Sequence, residues 1–181
     1  MNSTKLVTFF LSLAMLISCK GGDKDNQNAT AEPASDPNYV ITLNATIKKS
    51  DNIQLFFKET TDDNTQFSEE NSVRVDVIGS DKAQDIVFKL PTDSYPSQLR
   101  LDLGLNKDQQ EIAINNLNIQ HAGKNFSLSA ADFFEYFVPD TTYVNVSKVT
   151  KTVTPKVAKD GSFDPKLFSG TMLAEKLQTI K

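Results

Sequence analysis

From residue 39 onward, apolar side chains recur at every second position in short runs. Tyr39-Val40-Ile41-Thr42-Leu43-Asn44-Ala45-Thr46-Ile47 opens the series. Ile53-Gln54-Leu55-Phe56-Phe57, Val73-Arg74-Val75-Asp76-Val77, Ile86-Val87-Phe88-Lys89-Leu90 and Leu99-Arg100-Leu101-Asp102-Leu103 follow, then Ile112-Ala113-Ile114, Leu117-Asn118-Ile119 and Phe126-Ser127-Leu128. Successive side chains of a strand point to opposite faces, so each run predicts a strand with one buried face. Asn, Asp, Ser, Gly and Pro clusters separate the runs, and no long helical pattern lies between them. The pattern predicts an all-β fold, an antiparallel β-sandwich or jelly roll, rather than helices alternating with parallel strands. His121-Ala122-Gly123-Lys124 reads as a hairpin turn, which makes His121 a solvated turn histidine.

Two short helices complete the expectation. Ser129-Ala130-Ala131-Asp132 has the spacing of a capping box; Phe133, Phe134, Tyr136 and Phe137 follow it, and Pro139 ends the segment. From Thr171 to Ile180, Leu173, Leu177 and Ile180 fall at i, i+4 and i+7, one apolar stripe to lay on the sandwich. Phenylalanines at helical spacing are expected in the core rather than in an exposed patch.

The N-terminal stretch is of a different kind. Lys5 precedes an apolar core from Leu6 to Ile17 broken only by Thr8 and Ser12, the form of a secretory signal and too short to span a bilayer. It ends in Leu16-Ile17-Ser18-Cys19, and Cys19 is the only cysteine. These four residues resemble the lipobox of bacterial lipoproteins. That resemblance implies removal of residues 1–18, a diacylglyceryl group on the Cys19 sulfur and acylation of the new amino terminus. Two or more acyl chains anchor a protein stably, so a lipidated Cys19 implies a membrane partner without a transmembrane helix. In lipoprotein sorting, Lys20 rather than Asp after the cysteine implies delivery to the outer membrane. Lys20-Gly21-Gly22-Asp23-Lys24-Asp25 also resembles the charged export signals of surface lipoproteins in Bacteroidota-type bacteria. The expected location is the outer membrane, on its periplasmic face or at the cell surface. Residues 19–37 are otherwise small and polar, and such a tether reaches about 25 Å. Residues 38–181 are the length of one domain.

Charge and residue inventory narrow the function. With 19 Lys and Arg against 23 Asp and Glu and no basic patch, nucleic acid is excluded as a partner. The chain has neither a GxGxxG motif nor a P-loop, and no cofactor is expected. His121 is the only histidine and Cys19 is taken by lipidation, so neither a zinc site nor a Cys/His nucleophile pair is available. The expectation is therefore a protein that is not an enzyme. Carboxylates are abundant, which keeps glycan hydrolysis as a third reading with no residue pair preferred. Glu59, Asp62, Asp63, Glu69 and Glu70 crowd between the second and third runs, and Asp62, Asp63, Glu69 and Glu70 are calcium candidates without EF-hand spacing. Asp140-Thr141-Thr142 resembles the O-glycosylation acceptor of exported Bacteroidota-type proteins.

The most specific internal pattern is the near repeat Val73-Arg74-Val75-Asp76-Val77 and Leu99-Arg100-Leu101-Asp102-Leu103, which holds the only two arginines of the chain. Alternation puts Arg74, Asp76, Arg100 and Asp102 on outward faces. Two readings are open. One is a polar sheet face that hydrogen-bonds sugar hydroxyls. The other is a cross-strand ladder of ion pairs, with Arg74 opposite Asp102 and Asp76 opposite Arg100 on neighbouring strands.

Leu90-Pro91, Leu99 to Gly104 and Ile112 to Ile119 together resemble the galactose-binding-like β-sandwich accessory domains of bacterial glycan-handling membrane proteins. The resemblance implies a carbohydrate-binding-like fold and, by analogy, glycan binding. The chain has no Trp, which leaves Tyr39, Tyr95, Tyr136 and Tyr143 as stacking candidates for sugar rings. The expected function is a non-catalytic glycan-binding lipoprotein, with a partner-binding subunit of an envelope lipoprotein complex as the alternative.

Overall fold

The structure is a computed structural model and describes residues 36–181. The signal segment, Cys19 and the tether up to residue 35 lie outside the described residues. The strands are β1 Val40–Thr46, β2 Asp51–Lys58, β3 Ser72–Val77, β4 Gln84–Lys89, β5 Gln98–Asp102, β6 Ile112–His121 and β7 Lys124–Ser129, then β8 Phe137–Pro139, β9 Val144–Ser147, β10 Thr152–Pro155 and β11 Lys166–Ser169. One sheet runs β4-β1-β6-β10-β9, with β7 also paired to β6; the second runs β3-β2-β5-β11-β8. The pairings are antiparallel. The fold is the all-β sandwich that the alternation predicts.

Inward residues of both sheets make one core. Ile41, Leu43, Phe88, Leu117 and Ile119 of the first sheet join Ile53, Leu55, Phe57, Leu99, Leu101 and Leu167 of the second, all buried. Burying such side chains contributes about 1.5–3 kcal/mol each. Among the described residues the two α-helices are α1 Ala130–Tyr136 and α2 Thr171–Thr179. Ser129 caps α1, its Oγ accepting the Asp132 N–H at 3.3 Å and donating to the Asp132 carboxylate at 2.6 Å. Phe133 and Phe134 are buried, and Phe133 stacks on Phe137 at 4.6 Å between centroids. Leu173 and Leu177 of α2 are fully buried, with Ile180 just beyond its end also buried, so the stripe faces the sandwich. Among the described residues no helix is long and apolar enough to cross a membrane.

The predicted hairpin forms between β6 and β7, with Leu117 opposite Leu128 and Ile119 opposite Phe126. Ala122 and Gly123 take the positive φ values of 47° and 80° that a tight two-residue turn requires. His121 is not the solvated turn residue expected. It closes β6 at 8 % exposure, stacked on Tyr39 at 4.0 Å and met edge-on by Tyr95 at 6.0 Å. Its position explains this, because it follows Leu117 and Ile119 at steps of two and so shares their inward face. Among the described residues neither His121 Nδ1 nor the Tyr39 hydroxyl has a partner, and burial pushes the Tyr39 phenol up to about 12.

Asp36, assigned to the tether by composition, is bonded to the domain. Its carbonyl accepts the Ala122 N–H at 3.0 Å and its carboxylate pairs with Lys89 at 2.6 Å.

Candidate functional site

The outer face of the second sheet is where the near repeat lies, and strand order decides what it can do. β3 and β5 are not neighbours, because β2 runs between them. In register, Gln54 of β2 stands opposite both Arg74 and Asp102, Asn52 opposite Asp76, and Phe56 opposite Arg100. The cross-strand ladder of Arg74 with Asp102 and Asp76 with Arg100 therefore does not form. Instead Arg74, Arg100 and Asp102 line one open cavity of about 320 Å³, with Asn52, Gln54, Glu69, Asp164 and the Gly104-Leu105 loop as its other walls. Asp76 does not line it; its carboxylate accepts the Asn52 side-chain amide.

Each polar group of this cavity is held by a neighbour. Arg100 forks onto Asp102, two positions along the same strand face, through Nε at 2.8 Å and Nη2 at 2.9 Å. Its guanidinium carbon sits 3.8 Å from the centroid of the Phe56 ring. Stacking and a bidentate carboxylate fix a planar guanidinium in a way an ammonium would not allow, which gives the choice of Arg a physical reason. Both side chains of the pair are only 19 % exposed. Burial pushes the Asp102 carboxyl above the ordinary carboxylate range, against the opposing pull of Arg100.

Gln54 is the hub of the floor. Although it is 7 % exposed, its amide nitrogen donates to Glu69 Oε2 at 2.8 Å and Ser72 Oγ at 2.9 Å, and its oxygen accepts from Arg74 Nη2 at 2.7 Å. Arg74 also pairs with Glu69 at 3.3 Å, at the exposed rim. Asp51 sets the far wall. Its carboxylate accepts the backbone N–H groups of Leu105 at 2.8 Å and Asn106 at 3.2 Å, clamping the loop that presents Leu105. Gly104 in that loop has φ +104°, and a Cβ there would run into the Asp51 carboxylate.

The loop from Glu59 to Ser68 and the 3-10 turn Glu69–Asn71 cross the same face. Lys58 is buried beneath the loop and donates to the carbonyls of Asp62 at 3.2 Å and Thr65 at 2.8 Å. Phe67 drops onto the sheet, its centroid 5.0 Å from Lys58 Nζ, 5.5 Å from the Arg100 guanidinium and 6.1 Å from the Phe168 ring. This cover explains why β2 is buried on both faces rather than half-buried. A second cavity of about 320 Å³ opens beyond Phe67, lined by Lys58, Gln98 and Phe168 among others.

The acidic loop does not gather into a calcium site. Asp62 accepts from Asn64 at 2.9 Å, Asp63 borders the second cavity, Glu69 serves Gln54 and Arg74, and Glu70 is exposed. Among the described residues no three His, Cys, Asp or Glu side chains come together in a way that could hold a metal ion. None of the four tyrosines lines either cavity; the aromatic rings that do are Phe67 and Phe168, both in the second, while Phe56 lies against Arg100. Thr141 and Thr142 are exposed on the turn between β8 and β9 and border a separate hollow of about 480 Å³ with Val157 and Ala158.

Gln54, Asn52 and Asp164 were not singled out by the pattern of the sequence. For Gln54 a signal exists, since it is the one polar residue within Ile53 to Phe57. No protein-family model, curated protein or solved structure matches the chain.

Proposed function

We propose that this protein is a lipid-anchored envelope lipoprotein whose sandwich binds glycans, without catalysis, in the arginine-lined cavity on the outer face of the second sheet. One observation carries the reading. The only two arginines among 19 cationic residues border a single cavity, one locked to the floor by Phe56 and Asp102, the other at the rim beside Glu69. Sugar hydroxyls both donate and accept, and a wall of guanidinium, carboxamide and carboxylate groups supplies both functions in fixed positions.

The state of the carboxylates favours binding over hydrolysis. Glycoside hydrolysis needs one carboxyl free to deliver a proton and a second free to act on the anomeric carbon or a water. Here both oxygens of Asp102 are taken by Arg100, Glu69 accepts from Gln54 and Arg74, and Asp164 pairs with Lys166. The alternative reading, a protein partner in an envelope complex, is favoured by Leu105, which is 70 % exposed on the cavity rim. A glycan array followed by titration of the hits tests the proposal: saturable glycan affinity supports it, and co-purification with an envelope protein without glycan affinity supports the alternative. The anchor is tested separately. Cys19→Ala should move the protein from the membrane fraction to the soluble fraction with an unchanged circular dichroism spectrum, and continued membrane association would remove the lipoprotein reading.

A further inference from the structure

The two cavities of the second sheet share their strands. Gln54 of β2 and Asp102 of β5 belong to the first cavity, while Lys58 of β2 and Gln98 of β5 belong to the second. All four lie on one face, since each pair is separated by four residues, an even step along its strand. Four residues of extended chain cover about 13 Å, longer than a single sugar ring and suited to a short chain of them. Where the two cavities approach each other, Arg100 of the first, stacked on Phe56, lies 5.5 Å from the Phe67 ring of the second, which in turn lies 6.1 Å from Phe168.

Charge completes the description. Across both cavities three cationic side chains, Arg74, Arg100 and Lys58, meet four acidic ones, Glu69, Asp102, Asp164 and Asp63. Arg100 is committed to Asp102, Arg74 to Glu69 and Lys58 to loop carbonyls. Anionic sugars need a site with positive charge in excess, and here three cations stand against four acids, so a carboxylate or sulfate entering would meet a wall of net negative charge.

Resting on the glycan reading, we infer that the ligand is a neutral oligosaccharide lying along β5, beside the loop that covers β2, its chain spanning both cavities and passing the Phe67 ring. Gln98 is the residue that distinguishes a spanning chain from a single occupied cavity. Its backbone pairs with Lys58, so removing its side chain leaves the strand ladder in place.

The test is calorimetric titration of the full chain and of Gln98→Ala with neutral gluco-, galacto-, manno- and xylo-oligosaccharides from mono- to hexasaccharide, alongside a galacturonic acid series of the same lengths. Affinity should rise with length in a neutral series and then level off. Gln98→Ala should bind the longer neutral chains roughly fivefold more weakly, the loss of about one net hydrogen bond, and the monosaccharide unchanged. Affinity independent of length, indifference of the long chains to Gln98→Ala, or preference for the uronic series would each overturn the spanning neutral chain while leaving glycan binding intact. Failure of every sugar to bind would overturn the glycan reading itself.

Discussion

Replacing Arg100 by Ala separates a surface ion pair from a built site floor. An exposed pair contributes well under about 1 kcal/mol, and that would be the cost had the ladder formed. The structure gives a larger figure. Arg100 rests 3.8 Å from the Phe56 ring centroid with its side chain 19 % exposed, and a partly desolvated cation–π contact contributes about 1 kcal/mol. Its removal strands the Asp102 carboxylate, itself only 19 % exposed, at a cost of about 1–3 kcal/mol for the unsatisfied group. The expected loss is about 2–4 kcal/mol. Arg74, whose side chain is 47 % exposed and whose partner Glu69 is 73 % exposed, also donates to the Gln54 side-chain oxygen, but its vacated place is open to water that can take up that acceptor, so the same substitution should cost less than about 1 kcal/mol. Urea denaturation followed by far-UV circular dichroism measures both, and tyrosine fluorescence serves as a second probe in a chain without Trp. In the double variant Arg100→Ala, Asp102→Ala, part of the loss should return, because no carboxylate is left stranded. Equal costs for Arg100→Ala and Arg74→Ala, within about 0.5 kcal/mol, would refute the reasoning.

Two further outcomes follow from the walls of the cavity. Gly104→Ala should destabilise by more than about 2 kcal/mol, since Ala is strained at φ +104° and its Cβ displaces the Asp51 carboxylate from the Leu105 and Asn106 N–H groups; a wild-type denaturation midpoint would contradict this. Asp102 gives a pH signature. A carboxyl raised by burial holds its proton more tightly in the folded chain, so its contribution to stability is largest below the unfolded value near 4 and is lost as pH rises through the folded value. Denaturation at several pH values should show the stability of the wild type relative to Asp102→Asn falling as pH rises from about 4, then flat above the raised value; a rise over the same window would contradict the assignment.

Legibility of the fold varied with element length. β1 to β7 were readable because each carries enough alternating positions to separate a buried from an exposed face. β8 to β11 were not among the predicted runs. They are three or four residues long, Pro139 and Pro155 close two of them, and so short a stretch holds too few alternations to register. Both helices were readable, one from its Ser129 cap and one from its Leu173, Leu177 and Ile180 stripe.

At the candidate site, alternation correctly marked Arg74, Arg100 and Asp102 as facing out of the core, but it carries no information on which strands are neighbours. The insertion of β2 turned an expected ladder into a cavity and set Asp76 aside. Phe67 lay in a polar loop with nothing in its spacing to show that it folds back over Arg100. Gln54 and His121 were readable in principle, the first as a polar residue inside an apolar run, the second by its even spacing from Ile119.

Titration of the wild type and Arg74→Ala with the glycans selected by an array screen tests the central claim most directly, because Arg74 borders the cavity and is expected to contribute little to folding. Saturable glycan binding by the wild type, weakened roughly tenfold or more in a stably folded Arg74→Ala through loss of a charge-assisted hydrogen bond, is the predicted result. Glycan binding that Arg74→Ala leaves untouched, or no glycan binding at all, would contradict the assignment of this cavity.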